Sequence, residues 1–242
     1  MPKAVIEAVH LSKRYAHVAA LDDISFTVTV GQVCALLGGN GAGKTTTLAI
    51  LLGLLLPTSG QVRVLGYDMV RERYRSLPRM NFTSPYVDLP HRLTVAQNLD
   101  IYGRLYGISK RKTRILELAE ALDLTSLLTR PYGSLSAGQK TRVALAKSLL
   151  NRPEVLLMDE PTASLDPDSA ERIRSYLLDY QRQSGATLLL ASHNMAEVER
   201  LCDYVYILRR GKIAAHGAPQ ALIERYGWSN LEEVFIAIAR GS

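Results

Sequence analysis

The segment Gly38-Gly39-Asn40-Gly41-Ala42-Gly43-Lys44-Thr45 carries the spacing G-x-x-x-x-G-K-[ST]. Its glycines admit backbone dihedrals that side chains forbid, so successive N–H groups can curl inward around phosphate oxygens. Lys44 would then set its ammonium against β- and γ-phosphates, and Thr45 would offer its hydroxyl to Mg²⁺. A helix opening at this point aims the positive end of its dipole at the same anion. The dinucleotide pattern G-x-G-x-x-G fails, because it requires glycine at Lys44 or at Thr46. A glycine-rich surface turn fits the letters but not the context. An apolar run, Val33 to Leu37, comes immediately before, and a helical run, Thr46 to Leu52, immediately after.

A second chemical pair, Asp159-Glu160, ends the apolar run Val155-Leu156-Leu157-Met158. A carboxylate at that edge of a sheet is costly to bury without a counter-charge, which Mg²⁺ held through water supplies. Glu160 then points toward an attacking water and serves as general base. Alone, an Asp-Glu pair at a strand end is equally a solvated one. Beside a complete phosphate loop it reads as machinery.

The elements that must hold these residues follow from periodicity. Val5 to Val9 and Ile24 to Val28 alternate apolar and polar residues, as half-buried strands of an antiparallel layer do. Val33–Leu37, Val155–Met158 and Thr187–Ala191 are apolar throughout, as strands covered on both faces are, and each precedes a helical pattern. That is the rhythm of a parallel sheet wrapped by helices. From Leu93 to Leu150 no buried strand is expected; Val95 to Tyr106, Lys110 to Leu122 and Ser136 to Leu150 read as helices interrupting the sheet.

The 242 residues, 47% of them hydrophobic, suffice for one large domain with a smaller inserted part. Cys34 and Cys202 share no ligand or redox spacing and read as buried thiols of a cytosolic protein. Met1 to Val9 lacks the pattern of a signal peptide. Leu48 to Leu56 is too short to span a bilayer, so any transmembrane role falls to a partner. His10, His17, His91 and His216 have no metal-ligand spacing. The net charge of +6 is uneven: between Arg71 and Arg114 ten Lys or Arg face three acids, leaving the rest of the chain at −1. Lipid headgroups, nucleic acid or merely solvated helix faces all suit such a segment.

Leu135-Ser136-Ala137-Gly138-Gln139 contains S-x-x-Q, a capping box before an apolar run, and a capped helix start is also an anion site. The string resembles the signature LSGGQ of the ABC ATPases, with Ala137 replacing one glycine. The resemblance covers essentially the whole chain, motifs in order. Tyr15 matches the aromatic residue that stacks on adenine. Asp159-Glu160-Pro161 matches the Mg²⁺ and base motif, Ser164-Leu165-Asp166 the loop crossing the dimer interface, and His193 the switch histidine at the γ-phosphate.

The resemblance implies an α/β fold. Its P-loop NTPase core has a parallel sheet, an N-terminal antiparallel β layer and an inserted helical subdomain. Residues 1–242 form a single ABC ATPase domain, with 1–83 and 151–242 as core and about 84–150 as the helical part. It implies a catalytic set of Glu160, His193 and Lys44. The ATP-binding set is Tyr15, Gly38, Asn40, Gly41, Ala42, Gly43, Lys44, Thr45, Thr46, Ser136, Gly138 and Asp166. Ser136 and Gly138 would touch ATP bound to the other protomer. Mg²⁺ would take Thr45 and Asp159. The glutamine usual at the start of the helical subdomain falls, by alignment on Pro85, at Thr83, with Ser84 as the other register. The shorter threonine would reach the metal through a water or a shifted loop. Gly39 replaces the more usual proline and loosens the phosphate turn.

Three functions accommodate such a chain. One is the ATPase of a transporter whose transmembrane permease subunits are separate chains. The second is a soluble ABC ATPase acting on nucleic acid or ribosomes, which ordinarily needs a coiled-coil insertion or a second cassette. The third is a weakly hydrolysing regulatory module, against which the intact Glu160 argues. Leu93 to Leu99, Leu105-Tyr106-Gly107 and the tail Leu231 to Phe235 resemble export-type cassettes. The expectation is therefore an exporter ATPase, pairing as a homodimer or pseudo-dimer across two ATP, cytoplasmic and peripheral on the membrane, with no nucleic-acid partner.

Overall fold

Alternation along the first two strands builds an outer layer. The computed structural model, which describes residues 3–240, pairs β1 (Ala4–Tyr15) antiparallel with β2 (Val18–Thr29). Ile24, Phe26 and Val28 are buried while Ser25 and Thr27 between them are exposed, the period of a sheet with one covered face. The chain then dives into β3 (Val33–Leu37), buried throughout, and into α1 (Lys44–Leu51). β4 (Ser59–Val64) returns to the other edge of β1, and β5 (Tyr67–Asp68) extends the layer to the order β2-β1-β4-β5.

Short α2 (Arg73–Ser76) leads to β6 (Met80–Thr83). Between Thr83 and Val155 come α3 (Val95–Leu105), α4 (Arg111–Ala121) and α5 (Ala137–Leu149), close to the helical stretches expected. Then follow β7 (Val155–Asp159), α6 (Pro167–Ser184), β8 (Thr187–Ser192), α7 (Met195–Leu201), β9 (Tyr204–Arg209), β10 (Lys212–Gly217), α8 (Pro219–Tyr226) and α9 (Leu231–Arg240). The second sheet has the order β10-β9-β3-β8-β7-β6, parallel except for the β9–β10 hairpin.

Its central strands read apolar throughout because each face meets a different core. Val33, Ala35, Leu156, Met158, Leu188 and Leu190 face the helices of the inserted region and the C-terminal part. Cys34, Leu36, Leu157, Leu189 and Ala191 face α1 and the antiparallel layer. Both cysteines are buried free thiols, and burial pushes the Cys34 and Cys202 thiols well up.

Two sequence expectations change in three dimensions. Asn81-Phe82-Thr83 forms part of β6, in register with Leu156, Leu157 and Met158, rather than a loop. Four residues containing Asn81 and Thr83 carry no apolar run, so periodicity passes over this edge strand. The basic segment is also less bare than its formal charge. Arg79 pairs with Glu154 at 2.6 Å and Arg114 with Glu117 at 3.1 Å, acids from outside the segment. Arg104 and Arg111 share Asp100 at 2.8 and 2.9 Å. Among the described residues no helix is long and apolar enough to cross a membrane.

Candidate functional site

β3, β7 and β8 end side by side at one sheet edge, and the candidate residues leave from those ends. Between β3 and α1 the backbone takes φ +75° at Gly41 and +109° at Gly43, values that L side chains rarely adopt. Gly43 is doubly constrained, since a Cβ there would lie 2.6 Å from Leu21 Cδ2 and 2.8 Å from the Ala20 carbonyl. Gly39 differs: a Cβ would meet nothing within 4 Å, so the loop has room for a stiffer residue there. The turn is closed by Ala42 N–H donating to Gly39 O at 3.2 Å and backed by Gly211 N–H donating to Ala42 O at 3.1 Å.

Lys44 is buried and its Nζ donates to the carbonyls of Gly38 and Gly39, curled within the loop it belongs to. Burial lowers its pKa, opposed by the carboxylates of Glu160 and Asp159. Thr45 Oγ1 donates to Asp159 Oδ2 at 3.2 Å, joining the loop to the end of β7. Asp159 is 3% exposed, and burial raises its carboxyl above the ordinary range, against the Thr45 bond and the Lys44 charge. A buried carboxylate and a hydroxyl form an all-oxygen donor pair, which fits a hard cation that takes its remaining ligands from phosphate and water. Thr83, also buried, stands in register with Met158, one residue short of Asp159. No hydrogen bond ties it to Thr45 or Asp159.

Glu160 turns the chain out of β7 at φ 48°, held by its N–H donating to Ala191 O at 2.9 Å. Its Oε1 lies 2.6 Å from His193 Nδ1, and its Oε2 lies 3.4 Å from Ser192 Oγ. The carboxylate is largely covered while the imidazole is 60% exposed, so the histidine presents its far edge outward. Glu160, His193, Asp159, Thr45 and Lys44 are thus drawn from three elements into one constellation.

Other expected residues stand apart from it. Tyr15 ends β1, half exposed, with Lys13 Nζ 5.1 Å from its ring centroid. It shares a hairpin with Ala20 and Leu21, which a Cβ on Gly43 would meet, and makes no hydrogen bond to the loop. Ser136 caps α5: its Oγ accepts from Gln139 N–H at 3.3 Å, and Gln139 Oε1 accepts from Ser136 N–H at 3.0 Å. The expected capping box is present. Gly138 packs beside the Ser164 carbonyl, 3.2 Å from where a Cβ would sit. Asp166 caps α6, and hydrogen bonds from Ser169 hold its carboxyl low. No hydrogen bond joins Ser136, Gly138 or Asp166 to the phosphate loop of the same chain.

Sequence reasoning gave no role to Ser192, Thr162 or Glu197, which surround the base. Glu197 occupies the fourth place of Asn194-x-x-Glu197 and reads as an ordinary capping acid. In the structure Ser192 Oγ accepts the Asn194 N–H at 3.0 Å, and the Glu197 carboxyl turns inward to Thr162 at 2.6 Å.

Residues 21–163, more than half of the sequence, match the family described as "ABC transporter". The chain belongs to the ABC transporter family. As a cassette of that family it is an ATPase, and ATP is its nucleotide. It is 39% identical over 241 residues to the Nod factor export ATP-binding protein I of Paraburkholderia xenovorans, covering 97% of this chain and 78% of that protein. It is 36% identical to the probable multidrug ABC transporter ATP-binding protein YbhF of Escherichia coli, over 91% of this chain and 38% of that one. A solved ATP-binding subunit of an ABC transporter superposes with a TM-score of 0.86 at 28% identity, over 97% of this chain and 99% of the other. The ABC cassette fold thus accounts for both sheets.

Proposed function

We propose that this chain is the ATPase of an exporter, working with membrane subunits carried on separate chains. The observation that carries the hydrolytic half is the Glu160–His193 pair at 2.6 Å, beside a phosphate loop joined to Asp159 through Thr45. Lys44 leaves the carbonyls of Gly38 and Gly39 and places its charge on the β- and γ-phosphates. Loop N–H groups and the dipole of α1 hold the same anion. Mg²⁺, when held by Thr45 and Asp159, neutralises charge on the phosphates. Glu160 accepts the proton of the attacking water, and His193 fixes its carboxylate through Oε1. Tyr15 stacks on the adenine. Ser136, Gly138 and the loop ending at Asp166 meet ATP held by the partner cassette, which suits their separation from the phosphate loop of their own chain.

Export is supported by the relatives, since the proteins at 39% and 36% identity are named for Nod factor export and for a multidrug transporter. The membrane subunit docks on the groove between α3 and α4, about 990 Å³, floored by Leu93, Ala96, Ile101, Ile115 and Leu116. Lys110 and Lys112 stand on its rim, at the cytoplasmic face of the membrane. Glu160→Gln tests the chemistry: ATP binding persists and hydrolysis slows by about two orders of magnitude, as loss of a general base requires. Turnover at the wild-type rate would remove Glu160 from the mechanism.

A further inference from the structure

Glu197 is a carboxyl group that the hydrolytic scheme leaves without a task, although it is 3% exposed and lies one side chain away from the base. Its Oε1 accepts from Thr162 Oγ1 at 2.6 Å. Its Oε2 lies 3.3 Å from Ser192 Oγ, and the same Ser192 Oγ lies 3.4 Å from Glu160 Oε2. Ser192 Oγ also accepts the Asn194 N–H at 3.0 Å. One serine hydroxyl therefore stands between two carboxyl groups with a single proton to donate.

We infer that Glu197 is a positioning residue for Glu160, acting through Ser192. In its carboxylic acid form Glu197 donates to Ser192, and Ser192 directs its own proton to Glu160 Oε2. Glu160 is then held on both oxygens, by Ser192 and by His193. When Glu197 ionises it becomes an acceptor and draws the serine proton to itself. Glu160 Oε2 loses its donor, and the base is anchored on one side only.

The surroundings shift Glu197 toward the acid form. Burial pushes the Glu197 carboxyl up, and the nearby Glu160 charge adds to this, against the Thr162 bond, the Arg174 charge and the Ser192 bond. Arg174 from α6, Arg200 from α7 itself, His193 and Glu160 are the charged or titratable groups lining the pocket of about 530 Å³ that Glu197 borders. Arg174 is engaged with Glu171 at 2.8 Å, and Arg200 approaches the same Glu171 at 4.0 Å, so neither forms an ion pair with Glu197. A carboxyl whose folded pKa is raised keeps its proton to higher pH and loses it as pH rises through the folded value. The arrangement is therefore intact below the folded pKa of Glu197 and fails as pH rises through it.

This inference rests on Glu160 acting as the base, and the experiment separates the two. kcat and KM for ATP are measured across the pH range for the wild type, Glu197→Gln, Glu197→Leu and Glu160→Gln, with melting points and ATP binding recorded for each. The glutamine keeps an acceptor toward Thr162 and a permanent donor toward Ser192. It should turn over within about twofold of the wild type at the low-pH end of the profile, where Glu197 holds its proton, and lack the fall in kcat as pH rises. Glu197→Leu loses the donor and should lower kcat about tenfold with ATP binding preserved, the cost of one oriented hydrogen bond. A wild-type kcat that does not fall as pH rises, a Gln profile that superimposes on the wild type, or a Gln variant that turns over as slowly as a folded Leu variant would each overturn it. If the Leu variant fails to fold, the Gln profile alone decides. Should Glu160→Gln stall hydrolysis while the Glu197→Gln profile follows the wild type, only this inference falls. Should Glu160→Gln turn over normally, the assignment of the base falls.

Discussion

Glu160 sits at φ 48°, a left-handed backbone conformation that costs a non-glycine residue about 1–3 kcal/mol. The surroundings offset it: the Ala191 carbonyl takes its N–H at 2.9 Å, and His193 and Ser192 flank its carboxylate. Strain held by so many partners aims a side chain, and here it turns the carboxylate out of the sheet toward the end of the phosphate loop. Thr83 lies on the neighbouring strand, one of the two positions, with Ser84, proposed for the metal-sensing side chain. Thr83→Gln should shift the Mg²⁺ concentration for half-maximal hydrolysis, whereas Ser84→Gln should do less. If Mg²⁺ titrations of both variants match the wild type, the metal is bound without either residue. At this scale the sequence was readable wherever one local string carried the chemistry. Lys44 and Thr45 are adjacent and their glycines announce the loop. Glu197 was not, because its spacing from Asn194 is that of a plain helix cap. Only the packing of Thr162 against it shows that the carboxyl faces inward.

α5 joins two parts of the machine. Its first residues are capped by Ser136, and near its other end Lys147 is buried with Nζ 3.3 Å from the Phe82 carbonyl and 3.4 Å from Asn81 Oδ1. Burial lowers the pKa of that ammonium, which has no carboxylate partner among the described residues and lies over the Tyr102 ring, 5.4 Å from its centroid. A stiff helix thus connects the cap proposed to face a partner's nucleotide to the strand that ends at Thr83. Three helices of this region were legible from 3.6-residue periodicity, because each buries one stripe against the others. β6 was not, since an edge strand of four residues has too few positions to show a period. The α3–α4 groove was equally hidden: its apolar floor forms only when two separate helices are brought side by side. Arg111 belongs to the fold, bonding Asp100 at 2.9 Å and the Ile108 carbonyl at 3.1 Å, so the docking test leaves it alone. Lys110→Ser with Lys112→Ser should weaken association with membranes carrying the partner subunits, with ATP binding by the isolated chain near the wild-type value. Undiminished membrane association together with lost, salt-sensitive RNA binding would place the basic rim on nucleic acid instead.

The whole molecule carries a phosphate loop, base and histidine at the ends of β3, β7 and β8, and a capped helix start at Ser136 with no hydrogen bond to that loop. In the proposed arrangement the two half-sites of one chain serve different ATP molecules, and a second copy completes each. The antiparallel layer and the parallel sheet were legible as a whole because strand burial on one face or two leaves different patterns. How two chains meet was not, since it depends on surfaces that only the folded chain assembles. The most direct measurement is the mass in solution of the Glu160→Gln variant by light scattering, with Mg²⁺ and ATP and again with Mg²⁺ and ADP. Slowed hydrolysis should trap two chains around two ATP, giving twice the monomer mass with ATP and the monomer mass with ADP. Monomer mass in saturating ATP, with nucleotide bound, would contradict the account.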